Sequence, residues 1–152
     1  MKERCIVDTT VLAKILIQKN DDLLNNLVKD YRLYTPMNVM EEVFFQVLVS
    51  VVGGSSKDYR FYDVKRDWLK GVGKKEVCET INSLVSLTDL GVLSPLELNV
   101  EIFKSSIALA KKYSLLPNDA LIAATCKFYD IKKIASFDKD FKQVDFLEIV
   151  KP

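Results

Sequence analysis

Two kinds of apolar patterning alternate along this chain. Short runs rich in β-branched and aromatic residues occur at residues 4–8 (RCIVD), 32–35 (RLYT), 91–93 (GVL), 131–136 (IKKIAS) and 146–150 (FLEIV). Runs of that length and composition predict buried strands. Between them, apolar positions return every three or four residues, the helical period. Val11, Leu12, Ile15 and Leu16 mark one such helix, and residues 23–31 a second piece. Residues 37–52 form a third, with Pro36 suited to its first turn and Gly53-Gly54 ending it. Helical spacing returns over residues 74–90, over 99–113 (Ile102, Phe103, Ile107, Ala110) and over 118–130 behind Pro117. Pro95 is expected to stop the third strand, since proline cannot continue a central strand.

Strands alternating with helices, with no hairpin signals, predict an α/β domain: three α/β/α layers around a parallel sheet of four or five strands. One domain over residues 1–152 is expected, with no repeat or linker. Residues 53–75 differ in character and are expected to be an elaboration on it.

Composition narrows the chemistry more than the fold. The 152 residues are 49% hydrophobic and 28% charged, with a net charge of +1. A near-neutral chain does not bind nucleic acid by bulk charge, so any such binding must come from a local patch. No apolar run approaches the roughly 18 residues of a membrane span, and no targeting segment is expected at the N-terminus, where Asp8 interrupts the first apolar run. Cys5, Cys78 and Cys126 are far apart and odd in number. They are expected to be reduced core cysteines of a cytoplasmic protein. The chain contains no histidine. Ser-His-Asp and Cys-His nucleophile systems are therefore excluded, as are His-based metal sites. Any catalysis must rest on carboxylates, Lys, Tyr or Cys.

In parallel α/β sheets, ligands bind beyond the carboxyl ends of the strands. Asp8 ends the first predicted strand. Glu42 lies about two turns into the helix after the second strand, Asp119 in the first turn of the helix behind Pro117, and Asp138 two residues past the fourth strand. Each has an ordinary alternative. Asp8 can cap a helix, Asp119 suits a helix start, Glu41 and Glu42 suit a solvated face, and Asp138 and Asp140 suit a turn. Together they repel one another unless a cation is present. A hard divalent ion such as Mg2+ or Mn2+ takes oxygen ligands and supports phosphodiester hydrolysis without any His, Ser or Cys nucleophile.

IVDTTVL with Asp8, TPMNVMEEVFFQVL with Glu42, LPNDALIAATC with Asp119 and IASFDKDF with Asp138 resemble, in order and spacing, the successive motifs of the PIN domain. The resemblance runs over roughly residues 4 to 150. It implies a metal-dependent ribonuclease of the kind found in VapC toxins and RNA-processing nucleases, acting on single-stranded RNA or RNA loops. It implies Asp8, Glu42, Asp119 and Asp138 as ligands of Mg2+ or Mn2+, and Thr10 and Ser136 as hydroxyls hydrogen-bonding in the site. It also implies an antitoxin protein as a partner and a homodimer as the assembly. Only one of Glu41 and Glu42 can face the site, and Glu42 fits the family spacing. Asp140 is open between a metal role, a supporting role and a turn. Asn118 is open between contacting a ligand and capping its helix, with capping preferred.

Residues 55–75 interleave Lys57, Arg60, Lys65, Arg66, Lys70, Lys74 and Lys75 with Tyr59, Phe61, Tyr62 and Trp68. Aromatic rings stack unpaired bases while Arg and Lys hold phosphates, which makes Arg60, Lys65 and Arg66 candidate RNA contacts. The competing expectation, preferred for the aromatics, is an amphipathic helix whose stripe (Phe61, Val64 or Lys65, Trp68) packs on the domain. Docking of a partner on Phe61 and Trp68 is the third.

Two rival functions accompany the nuclease. One is a catalytically weak PIN-fold module that binds RNA or protein. The other is a different α/β phosphotransfer enzyme. A haloacid dehalogenase-like phosphatase would need a second Asp where Thr10 stands, and a receiver-like domain would need an acidic pair and a lysine that are not evident.

Overall fold

The computed structural model describes residues 1–54 and 60–152. Five parallel strands form one sheet in the order β3-β2-β1-β4-β5. They are β1 (Glu3–Val7), β2 (Tyr31–Pro36), β3 (Leu93–Leu96), β4 (Lys133–Ala135) and β5 (Glu148–Val150). Seven α-helices are present among the described residues: α1 (Thr9–Ile17), α2 (Asp21–Asp30), α3 (Met37–Gly53), α4 (Phe61–Leu69), α5 (Lys74–Asp89), α6 (Val100–Tyr113) and α7 (Pro117–Phe128). This is the three-layer α/β/α arrangement.

β1 is the centre of the sheet and reads accordingly. Cys5, Ile6 and Val7 are fully buried, the continuous apolar run of a strand covered on both faces. α1, α2, α3 and α5 contribute Leu12, Leu27, Val43 and Leu84 to one large cluster with the sheet. α6 and α7 build a second cluster around Ile102, Leu109, Ala123 and Ala124. Right-handed crossovers explain the division. The chain steps outward from β1 to β2 to β3 along one face, then returns past β1 to β4 along the other.

Three strands depart from the pattern along the chain, the fifth by starting only at Glu148. The third strand runs over Leu93–Leu96 and contains Pro95, which pairs in register with Thr35. Because β3 is an edge strand, a residue lacking an N–H is accommodated where only one side is paired. The fourth strand is three residues long, with Ile131 and Lys132 leading into it.

α4 occupies the elaboration. Val64 is buried and Trp68 packs against the main core, while Phe61, Tyr62 and Lys65 stay exposed. The stripe thus holds at Val64 and Trp68 and fails at Phe61, whose ring lies 5.7 Å from that of Phe45 on α3. Lys57 and Tyr59 lie outside the described residues. Gly73 enters α5 with φ of +70°, and a Cβ there would meet Val51 Cγ1 at 2.9 Å. Cys5 and Cys126 are buried in the core, but Cys78 is exposed on α5, so only two of the three cysteines are core residues. No described helix is long and apolar enough to cross a membrane.

Candidate metal centre

The change of direction at β1 sets where a site can form. β1 and β4 are neighbours, yet the chain leaves their carboxyl ends toward opposite faces, which opens a crevice between them. Asp8 follows β1 directly, and residues 136–140 follow β4.

Asp8 is the N-cap of α1 and is only 2% exposed. Its Oδ1 accepts from the Val11 N–H at 3.2 Å and from the Thr10 hydroxyl at 2.7 Å, while Oδ2 accepts from the Ser136 hydroxyl. The same two hydroxyls tie down the loop after β4. Thr10 Oγ1 accepts from the Phe137 N–H at 3.0 Å, and Ser136 Oγ accepts from the Asp138 N–H at 2.9 Å. Capping and site placement are therefore one arrangement at Asp8. Burial pushes its carboxyl upward, against the lowering effect of the Ser136 and Thr10 hydrogen bonds.

Asp119, in the first turn of α7, lies beside Asp138 and Asp140. One carboxylate oxygen from each of the three falls within 4.8 Å of the others. Burial, first, and the negative charges of Asp138, Glu42, Asp140 and Asp8 together raise the Asp119 carboxyl to about 6. Asp138 caps the short 3-10 turn Lys139–Gln143, accepting from the Asp140 N–H at 2.8 Å. Asp140 therefore belongs to the close acidic trio, while Asp8 and Glu42 stand further out. Asp145 lies apart, exposed, accepting from the Tyr113 hydroxyl at 2.6 Å and facing Lys112 at 3.6 Å.

Of the adjacent glutamates on α3, Glu41 is exposed and Glu42 is partly buried. Glu42 Oε2 accepts from the Thr9 hydroxyl at 2.9 Å and from the Asn118 side-chain amide. The cap of α7 is Leu116, so Asn118 does not cap it. Its amide is spent on Glu42 and on Asn38, whose Nδ2 donates to Asn118 Oδ1 at 2.7 Å. Asn38 and Thr9 went unread in the sequence. Asn38 precedes Glu42 by four residues, a spacing that puts both on one face of α3 and was available to find it.

The basic candidates are placed differently. Arg60, Lys65 and Arg66 are all exposed at α4, which packs on α3. Arg66 is held by Asp63 and Asp67, each at 3.0 Å. A cation nearer the acidic loop was missed: Lys14 Nζ lies 4.4 Å from the centre of the half-exposed Phe137 ring. Both buried thiols are pushed up by burial, Cys5 to about 12 and Cys126 further, which leaves neither as a nucleophile.

The donor set is thus all oxygen, five carboxylates of which three are close enough to share one ion. Such a set suits a hard divalent cation and no soft one. A PIN domain signature matches residues 5–147. The chain is 35% identical over 155 aligned positions to Ribonuclease VapC6 of Methanocaldococcus jannaschii, covering 95% of each. It is 40% identical over 116 residues to Ribonuclease VapC2 of the same organism, covering 76% of this chain and 69% of that one. Among solved structures, a toxin–antitoxin complex from Klebsiella pneumoniae contains a chain that superposes with a TM-score of 0.63 at 17% identity, with 97% of this chain and 96% of that one covered. That last likeness speaks to the fold alone; the signature and the two relatives place this chain in the PIN domain family, as a VapC-like member.

Proposed function

We propose that the protein is an endoribonuclease that hydrolyses phosphodiester bonds of single-stranded RNA with Mg2+ or Mn2+ held at Asp8, Glu42, Asp119, Asp138 and Asp140. The observation that carries this is the acidic trio in the strand crevice, with Asp119 raised to about 6 by burial and by its neighbours' charge. Such a cluster opposes folding unless a cation neutralises it. Both ribonucleases to which the chain is closely related support the choice of RNA.

When bound, the ion supplies water activation and neutralises charge developing on the phosphoryl oxygens. The chain's own residues do the rest. Asp119, Asp138 and Asp140 present oxygens toward a common point. Thr10 and Ser136 fix Asp8 and, through two backbone N–H groups, hold the loop that carries Asp138. Lys14, Arg60 and Lys65 are the candidate phosphate contacts, with Arg66 less available because two carboxylates engage it.

We further propose a toxin role in the cytoplasm, with an antitoxin protein as partner, in keeping with the toxin–antitoxin complex whose fold it shares. A homodimer is the proposed assembly. Val100, Phe103 and Ile107, spaced three and four apart on α6, form an exposed apolar stripe that supports it.

Replacing Asp119 by Asn keeps the shape of the side chain and removes its charge. That variant is expected to lose Mn2+-dependent cleavage of a single-stranded RNA while keeping the wild-type circular dichroism spectrum. Undiminished cleavage would sink the assignment. Absence of Mn2+ binding to the wild-type chain by calorimetry would favour a non-catalytic binding module instead.

A further inference from the structure

Glu42 is held by more than the packing of α3 on α7 requires. Two donors, the Thr9 hydroxyl and the Asn118 amide, converge on the same oxygen, Oε2. The direction of the chain behind them is forced. A carboxylate only accepts, so Asn118 must turn Nδ2 to Glu42, which leaves its Oδ1 facing Asn38. Asn38 must then offer its own Nδ2, and does so at 2.7 Å, with the Asn118 carbonyl oxygen at 3.5 Å from the same nitrogen. Asn38 Oδ1 is consequently left buried with no hydrogen-bond partner among the described residues. Buried acceptors are rarely left unmet.

We infer that Asn38 and Asn118 are positioning residues: a directional amide relay that, with Thr9, locks Glu42 through Oε2 and reserves Oε1 for the cation. This rests on Glu42 being a cation ligand. Partners behind a ligating carboxylate fix its orientation, and their loss typically weakens metal binding without touching the metal. The relay also joins the start of α3 to the first turn of α7. Glu42 and Asp119, from opposite faces of the sheet, are thereby set in one frame.

Mn2+ titrated calorimetrically into the metal-free protein tests it, using Glu42→Ala, Asn118→Ser, Asn118→Leu, Asn38→Asp and the double variant Glu42→Ala/Asn118→Ser. Asn118→Ser and Asn118→Leu are expected to weaken Mn2+ binding about tenfold, with the metal-free melting temperature showing that each is folded. Asn118→Ser, a small residue suited to a helix start, keeps the test intact should the leucine variant fail to fold. Asn38→Asp is the sharper variant. A carboxylate at 38 demands Asn118's Nδ2 for itself and turns its oxygen toward Glu42. It should therefore weaken Mn2+ binding, whereas added negative charge near the site would by itself strengthen it. In the Glu42→Ala background the Asn118→Ser loss should vanish.

Unchanged affinity in Asn118→Ser and Asn38→Asp, with weakened binding in Glu42→Ala, overturns the relay and leaves the metal centre standing. Additive losses in the double variant overturn it as well, by showing that Asn118 acts without Glu42. Unchanged affinity in Glu42→Ala overturns both the relay and that ligand.

Discussion

Charged residues gather at two places in this molecule, the crevice beyond β1 and β4 and the α4 flank, and they are held in opposite ways. In the crevice the bonds join residues far apart in the chain. Ser136 meets Asp8 across 128 positions, and Asn118 meets Glu42 across 76. Asp8 is buried, Glu42, Asp119 and Asp138 are partly buried and Asp140 is exposed, and like charges face one another. On α4 the pairs are local and exposed: Arg66 bonds Asp63 three residues back and Asp67 next to it. Local, solvated, opposite charges stabilise a helix surface weakly. Partly desolvated like charges assembled from opposite faces of a sheet oppose folding, which is why we propose a cation among them.

The largest effect that would break this contrast is expected at Asp8. Asp8→Ala removes the acceptor for Thr10, Ser136 and the Val11 N–H and also a helix cap. It should abolish cleavage and cost about 2 kcal/mol or more of stability, read by urea denaturation. A fully active, equally stable variant would contradict the role assigned to the crevice.

Next in size is the pH response. The folded chain holds the Asp119 proton up to about 6, whereas an ordinary aspartate carboxyl loses it near 3.8. Folding therefore favours the protonated form between those values. The stability this gives the metal-free protein is present below about 4 and is lost as pH rises through about 6. A cation must displace the same proton, so Mn2+ affinity should fall about tenfold per pH unit below about 6 and level off above it. Calorimetry from pH 5 to 8 reads this directly. A flat profile would mean that Asp119 does not meet the ion.

The smallest effect is expected on the flank. Arg66→Ala should change stability by no more than about 1 kcal/mol, and RNA affinity less than Lys65→Ala does. A larger loss of RNA binding at Arg66 would show that its two carboxylate partners yield it to phosphate.

How legible all this was in the sequence follows the same division. β1 showed itself because a central strand carries a continuous buried apolar run, here Cys5, Ile6 and Val7. The α7 start showed itself because proline at the first turn is a strong local signal. The strand-end acids were legible as separate positions, and their order resembled the PIN motifs. What hid was contextual. The extent of β3 depends on its being an edge, which Pro95 alone does not reveal. Asn118 looked like a cap because a polar residue near a helix start usually is one; its actual partner comes from another helix. The membership of Asp140 in the close trio depends on the turn that Asp138 caps. Cys78 follows the buried Val77 but lies between Glu76 and Glu79 on the exposed side of α5. Such pairings are made by the sheet's change of direction, not by neighbours in the chain.

The central claim is that the acidic trio holds a divalent cation. Crystals soaked in Mn2+ and measured for anomalous scattering test it most directly. The account predicts a peak about 2.1 Å from carboxylate oxygens of Asp119, Asp138 and Asp140, with Glu42 Oε1 turned toward it. A clear Mn2+ peak elsewhere, or none in the crevice at saturating Mn2+, would contradict it.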